Sequence, residues 1–207
     1  MKGSLYTLIY AGVLGAVCAL FLTGAADFTS PYRKANADAE RKRNILNVLQ
    51  VPYPDNVSSE KLVEIFEANV RQEKLGGLEL YRYVSNKDSN SVETVAVGFE
   101  GPGLWGPIKG FLAFDNKTIS GLTFYEQEET PGLGGEIASD WFRKQFVGKQ
   151  ITDSAGKPGI IIKGGGGENA VNEVDAISGA TMTCDKVQAI LNSVIKEITR
   201  ENKENGL

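Results

Sequence analysis

The stretch Asp175-Ala176-Ile177-Ser178-Gly179-Ala180-Thr181-Met182-Thr183 is a turn of small and hydroxyl-bearing residues that leads into an amphipathic segment. Apolar residues recur there at helical spacing, which predicts a helix over 183–201 packed on a sheet. The start of such a helix gathers unpaired N–H groups and a partial positive charge, and it therefore suits a phosphate. The plainer interpretation is a capped helix, with Thr183 as N-cap and Asp185 in the first turn. These residues alone leave both interpretations open.

The composition of the chain narrows the chemistry that it can perform. The 207 residues are 42% hydrophobic and 23% charged, which is typical of a globular domain with an appendage. The net charge of −4 gives no nucleic-acid signal. Histidine is absent and the two cysteines form no CxxC motif, which excludes Ser–His–Asp triads, Cys–His dyads and histidine or cysteine-rich metal sites. We therefore predict no catalytic residue and no metal site, and expect a cofactor to supply any chemistry.

Residues 5–26 carry no charge and are long enough to cross a hydrocarbon core of roughly 30 Å as a helix. A cleaved signal peptide would have a shorter apolar region, and a buried core helix would here be apolar all round. A lipoprotein anchor at Cys18 is disfavoured because Val17 precedes it. The sequence thus predicts a short N-terminal segment (1–4), a transmembrane helix (5–26), a juxtamembrane helix and linker (27–56) and one domain (57–207).

The residues that follow the span are rich in arginine and lysine. A count of positive charges places the large domain in the cytoplasm, although long domains often translocate regardless of such charges. Residues 31–49 predict a separate juxtamembrane helix, and the segment 51–55, with two prolines, ends it. The basic cluster on this helix either contacts anionic membrane lipid or forms a solvated face.

The remaining chain predicts an α+β domain with an antiparallel β-sheet and packed helices. Ser58 is a plausible N-cap for a helix that ends near Val70, with Val57 and Leu62 as a hydrophobic staple. Two apolar runs joined across Asp115-Asn116-Lys117 predict a β-hairpin. The predicted strands are 78–84, 92–99, 108–114, 118–125 and 159–163, with a short helix over 137–146.

Two further loops are rich in glycine and proline. They are Gly101–Ile108, which carries Trp105, and Glu129–Glu136. The prolines fix the backbone, and the glycines let a ligand approach it closely. Each loop alone is typical of strand ends, but three unusual loops in one domain indicate a binding pocket.

These motifs resemble a known family over essentially the whole chain. The apolar span, the segment Arg43-Asn44-Ile45-Leu46 and the loop Gly101–Ile108 are similar to the C subunits of the bacterial sodium-translocating NADH:quinone oxidoreductases. The stretches Tyr125–Gly135 and Asp175–Thr181 complete the resemblance. The G subunit of the Rnf ferredoxin:NAD electron-transport complex is homologous and is the alternative. The Leu104-Trp105 pair and Tyr125-Glu126-Gln127 are more similar to the sodium-pump branch.

The resemblance implies a membrane-anchored flavoprotein subunit that relays electrons one at a time between redox centres. The family carries FMN covalently, through a phosphoester to the position of Thr181, with Thr183 as a weaker rival. A flavin transferase makes this bond outside the cytoplasm, reading a motif that starts at an aspartate. The large domain is therefore expected to face the periplasm or cell exterior, with residues 1–4 in the cytoplasm, against the charge count. The flavinylation motif implied here comprises Asp175, Ser178, Gly179 and Ala180.

The same resemblance assigns a set of further FMN contacts. Side chains from the two glycine-rich loops would cover the isoalloxazine faces or hydrogen-bond its edge and ribityl chain. The expected contacts are Leu104, Trp105, Glu129, Thr130, Leu133, Gly134 and Lys163. The partners implied are the other membrane subunits of the complex, the transferase and membrane lipid. A hypothesis of another class is a cofactor-free, membrane-anchored binding or assembly module.

Overall fold

The computed structural model describes residues 2–83, 94–165 and 170–205. The chain divides into two compact units, Met1–Glu40 and Arg41–Leu207. The helices are α1 (Lys2–Val48), α2 (Ser59–Asn69), α3 (Asp140–Lys144) and α4 (Thr181–Asn205), with a 3-10 turn at Gly134–Ala138. The strands are β1 (Val70–Leu75), β2 (Leu78–Tyr83), β3 (Val95–Pro102), β4 (Pro107–Asp115), β5 (Thr118–Glu126), β6 (Ile161–Lys163) and β7 (Glu173–Asp175).

Helix α1 is one continuous helix of 47 residues that contains Pro31. The predicted juxtamembrane helix over 31–49 is helical as expected but forms part of this longer helix, which continues past Pro31. A proline inside a helix disturbs the preceding turn but does not always end the helix. Alanine and charged residues that favour helix follow Pro31. Among the described residues, α1 is the one helix long and apolar enough to cross a membrane, and its apolar window is fully exposed.

The second unit is built on a five-stranded antiparallel sheet in which strands pair in chain order, β1-β2-β3-β4-β5. The predicted hairpin is confirmed as β4 and β5, with Asp115 opposite Thr118. Asn116, in the turn between them, adopts φ 54°. Strand β1 was not predicted, because its sequence Val-Arg-Gln-Glu-Lys-Leu is mostly polar. It lies at the sheet edge, where charged side chains reach solvent.

Alternating side chains of the sheet face two hydrophobic cores. On one face, Phe111 and Ala113 pack with α2 and with the end of α1, where Ile45 and Leu46 are buried. On the other face, Leu112 and Phe114 pack with α4. The predicted stripe of α4 is confirmed, since its members are all buried: Val187, Ile190, Leu191, Val194, Ile195 and Ile198.

Smaller elements follow the predictions in part. Ser58 caps α2 as expected, since its side chain accepts a hydrogen bond from Lys61 N. The helix predicted over 137–146 is divided, because the extended backbone of Ser139 separates the 3-10 turn from α3. Residue 84 and residues 92–93, at the ends of two predicted strands, lie outside the described residues. The α+β fold with one long apolar N-terminal helix and an antiparallel sheet with packed helices is confirmed.

Candidate functional site

The site is built around the first residue of α4. Strand β7 pairs in parallel with β6 and ends at Asp175, and the turn 176–180 then leads directly to Thr181. Ala180 and Ile177 are buried beneath this turn, whereas Ser178, Gly179 and Thr181 are exposed. Cys184 N donates to Ala180 O over 3.0 Å and closes the first turn of the helix. The hydroxyl of Thr181 therefore stands at the surface, on a rigid helix start.

Thr183 lies inside the helix and is 2% exposed. Its hydroxyl donates to Glu129 Oε2 over 2.6 Å, so the prediction that it caps α4 was wrong. The helix begins two residues earlier, and Asp185 accordingly lies beyond its first turn. Cap preference alone could not reveal this, because the partner of the hydroxyl is 54 residues away in the chain.

Glu129 is a buried carboxylate, 4% exposed, where the three predicted loops meet. Its Oε1 accepts hydrogen bonds from Leu104 N at 2.7 Å and from Trp105 N at 3.4 Å, while Oε2 accepts from Thr183. Its own N–H donates to Gln127 Oε1 over 2.7 Å. A carboxylate out of water needs several donors, and here the chain itself supplies three to the two oxygens.

Two glycines leave room for this carboxylate. A Cβ placed on Gly103 would come within 2.4 Å of Glu129 Oε1, and one on Gly134 within 2.8 Å of Oε2 and 2.5 Å of Thr183 Oγ1. The first glycine belongs to the loop between β3 and β4, and the second begins the 3-10 turn. Gly103 and Gly134 thus allow the backbone of both loops to lie close to Glu129, because a residue with a Cβ would clash there.

Large apolar side chains of the two glycine-rich loops and of the start of α4 are exposed. Trp105 is 73% exposed, and Leu104, Leu133 and Met182 are also exposed. A Cβ on Gly179, whose φ of +77° is left-handed, would lie 3.2 Å from Leu133 Cδ2, so this leucine lies against the turn before Thr181. Met182 was missed by sequence reasoning, although its position next to Thr181 was a signal. A group of exposed apolar side chains indicates a surface that a partner or ligand covers.

Neighbouring residues hold Asp175, the first residue of the motif, in place. Gln145, which was not predicted, accepts from Asp175 N at 2.9 Å and donates to Asp175 O at 3.4 Å, as a neighbouring strand would. Lys163 pairs with Asp175 in the β6–β7 ladder, and its ammonium lies 2.9 Å from Glu173 Oε1. The structure therefore places Lys163 beside the start of the motif. Thr130 is exposed, and its carbonyl accepts from Leu133 N and Gly135 N.

The thiol of Cys184 packs beneath the motif. Ile177 N donates to Cys184 Sγ over 3.4 Å, and the side chain is 1% exposed. Burial raises the pKa of the Cys184 thiol, which keeps it protonated and unreactive. Among the described residues, no three His, Cys, Asp or Glu side chains lie together in a group that could hold a metal ion.

The residues around Thr181 fit a phosphate-bearing cofactor. The first N–H groups of a helix have no intrahelical acceptor, and α4, at 25 residues, has a full macrodipole at its start. The hydroxyl of Thr181 is accessible there, and the exposed Leu104 and Leu133 offer apolar surface nearby. Residues 103–196 match the FMN-binding domain family. This part of the chain resembles an FMN-binding domain and is referred to by that name.

The residues predicted to contact FMN and the predicted attachment motif all lie within this matched range. The C subunit of the Na(+)-translocating NADH-quinone reductase of Vibrio campbellii is 46% identical over 105 residues, 49% of this chain and 40% of that protein. The chain thus spans about two fifths of the length of that relative. The corresponding C subunit of Pasteurella multocida is 28% identical over 87% of this chain and 85% of its own length.

Two solved structures share the fold around the FMN-binding domain. The C subunit of the Na(+)-translocating NADH-quinone reductase of Parabacteroides distasonis superposes with a TM-score of 0.69 at 26% identity, over 82% of this chain and 94% of its own. The NqrC protein of Shewanella oneidensis gives 0.61 at 25% identity, over 74% and 91%. The resemblance to the family of these C subunits, found in the sequence, is confirmed.

Proposed function

We propose that this chain is the membrane-anchored flavoprotein subunit of a sodium-pumping NADH:quinone oxidoreductase, with FMN bound covalently to Thr181. The observation that carries this proposal is the contrast between two threonines of the FMN-binding domain. Thr181 is exposed at the first residue of α4, whereas Thr183 is buried and its hydroxyl is engaged by Glu129. A transferase can therefore reach one hydroxyl and not the other.

The residues of the site have distinct tasks under this proposal. Thr181 Oγ1 carries the phosphate, and the helix start stabilises the negative charge of the phosphodiester by about 0.3–1 kcal/mol. Leu104, Trp105 and Leu133 offer apolar surface to the ring, while Thr130, Gly134 and Lys163 remain predicted contacts. FMN, when bound, accepts and gives up electrons one at a time. The chain holds it in place and excludes water from its apolar faces.

The attachment by a covalent bond suits a domain outside the cytoplasm. Under this proposal residues 5–26 span the bacterial inner membrane, and the FMN-binding domain faces the periplasm or cell exterior. A cofactor tied to Thr181 cannot diffuse away there. The partners are the other membrane subunits of the complex, the flavin transferase and membrane lipid. The names of the relatives support the sodium-pump branch over the Rnf branch.

Covalent flavin on a denaturing gel tests the attachment. The full chain is produced with a flavin transferase, denatured, and its band is viewed under ultraviolet light. We expect fluorescence from the unaltered chain and from Thr183→Val, and none from Thr181→Ala. Mass analysis of the peptide that contains both threonines assigns the site. A dark band from the unaltered chain would refute covalent FMN and favour a cofactor-free assembly module, and loss of fluorescence only in Thr183→Val would move the attachment.

A further inference from the structure

The carboxylate of Glu129 joins three segments that are distant in the chain. Glu129 itself follows β5, Leu104 lies 25 residues earlier between β3 and β4, and Thr183 lies 54 residues later in α4. The segment with Thr183 also carries Thr181, two residues before it. The segment with Leu104 carries the most exposed aromatic side chain of the site, Trp105. One buried group thus links the helix start to the apolar loop.

Both oxygens of the Glu129 carboxylate face the protein interior and not the solvent. Both oxygens accept hydrogen bonds from the chain, and the side chain is 4% exposed. Gly103 and Gly134 approach it so closely that a Cβ on either would overlap an oxygen. Hydrogen bonds to an ionised acceptor are about twice as strong as neutral ones, and an unpaired buried carboxylate is costly. The contact is therefore stable only when all three segments are in place.

We propose that Glu129 and Thr183 are positioning residues that hold the Leu104–Trp105 loop in a fixed relation to Thr181. They act through the loop and the helix, and not through a contact with FMN. The purpose of the contact rests on the proposed function, whereas the contact itself is a feature of the folded chain. Glycine-rich loops are flexible by themselves, and the hydrogen bonds to Glu129 make this loop more rigid. The apolar loop is thereby held in one position relative to Thr181.

Hydrogen exchange of the flavin-free full chain in detergent tests the contact itself. Thr183→Val removes the hydroxyl and keeps the shape of the side chain, whereas Thr183→Ser keeps the hydroxyl. We expect the Leu104 and Trp105 amides to exchange about tenfold faster in Thr183→Val, since one charged hydrogen bond is lost. Thr183→Ser should retain the original rates. Thr199→Val removes another hydroxyl of α4, which donates to Ile195 O, and should leave both amides unchanged.

A second variant keeps the test decisive if Thr183→Val does not fold. Glu129→Gln preserves the size of the side chain and its acceptor for Leu104 N, but removes the charge. We expect exchange of the Leu104 amide to accelerate about threefold or more, because a neutral acceptor binds an N–H more weakly. Unchanged exchange in both Glu129→Gln and Thr183→Val would overturn the proposal.

The flavin-loaded chain tests the positioning role. Thr183→Val should keep its covalent FMN, because Thr181 is intact, but the flavin should show faster fluorescence-anisotropy decay and a shifted midpoint potential. Thr183→Ser should restore both. Faster amide exchange with an unchanged flavin signature would show a merely structural bond and overturn the positioning role. If the unaltered chain takes up no covalent FMN, the proposed function fails, while the exchange rates still decide whether the contact holds the loop.

Discussion

Tyr81 shows how one buried phenol ties the end of α1 to the sheet. Its hydroxyl donates to Glu79 Oε2 over 2.9 Å and accepts from Arg41 Nη2 over 3.0 Å, and Arg41 also bonds Glu79 at 2.6 Å. The ring is 2% exposed and contacts Phe111 edge to face. Burial, and then the hydrogen bond to Glu79, raise the pKa of Tyr81 to about 12. The hydrogen bond from Tyr81, and then that from Arg41, lower the pKa of Glu79.

This network makes a prediction for alkaline pH. The unfolded chain loses the phenol proton near pH 10.0, whereas the folded chain keeps it until about 12. The stabilisation by neutral Tyr81 is therefore complete below pH 10 and is lost as the pH rises toward 12. Ultraviolet titration of the chain minus that of Tyr81→Phe should show one phenol with a pKa of about 12. A difference curve centred near 10 would contradict the buried network.

Single residues also show where sequence reasoning stops. Attachment at Thr181 stays a prediction that the family resemblance implies, because the residues around it leave a capped helix equally open. The role of Thr183 could not be predicted, since its hydroxyl bonds Glu129 across 54 residues and no local preference records that contact. Gln145 was missed for the same reason, because its two bonds to the main chain of Asp175 join elements 30 residues apart.

The packing of α4 against the sheet determines how close the site lies to the sheet. A Cβ on Gly101, in β3, would come within 2.4 Å of Ile190 Cγ1, so glycine there allows α4 to lie against the strand. Elements with a regular apolar pattern were predicted, as for the hairpin and α4. Strand β1 and the continuity of α1 were not, because a polar edge strand and an internal proline both lack a decisive local signal.

Gly101 and Gly98, both in β3, allow a controlled test of how α4 packs against the sheet. Gly101→Ala should lower the free energy of unfolding by about 1–3 kcal/mol, because the added methyl pushes Ile190 out of its place. Gly98→Ala meets only Phe111, at an ordinary 3.6 Å, and should change stability by no more than about 0.5 kcal/mol. Urea unfolding of both variants in detergent measures the difference. Equal stabilities would show that α4 does not require the glycine at position 101.

At the scale of the molecule, the side of the membrane on which the FMN-binding domain lies is open to a direct test. Lys144 in α3 is 76% exposed, and its ion pair with Asp140 is at the surface and of little energetic weight. The native cysteines give low background, because Cys184 is buried and Cys18 lies within the apolar segment. A cysteine introduced by Lys144→Cys reports which side of the membrane it faces.

We expect Lys144→Cys to react with a membrane-impermeant maleimide in intact spheroplasts, because the domain is proposed to face outward. The unaltered chain, treated in the same way, gives the background from its two native cysteines. Labelling that requires lysis of the spheroplasts would place the domain in the cytoplasm, as the count of positive charges predicts. That result would also remove the access of an extracytoplasmic transferase to Thr181.

The strand order has a consequence for the way a nascent chain matures. Since β1 to β5 pair in chain order, each hairpin can form as soon as its second strand has been synthesised. The flavin site cannot, because its parts come from residues 104, 129 and 181, and α4 must first pack against β3. If folding stops after the sheet has formed, α4 is not yet packed against β3. Thr181 then does not lie at a fixed helix start. Under the proposed function, covalent flavin is therefore expected only on molecules in which α4 has packed against the sheet.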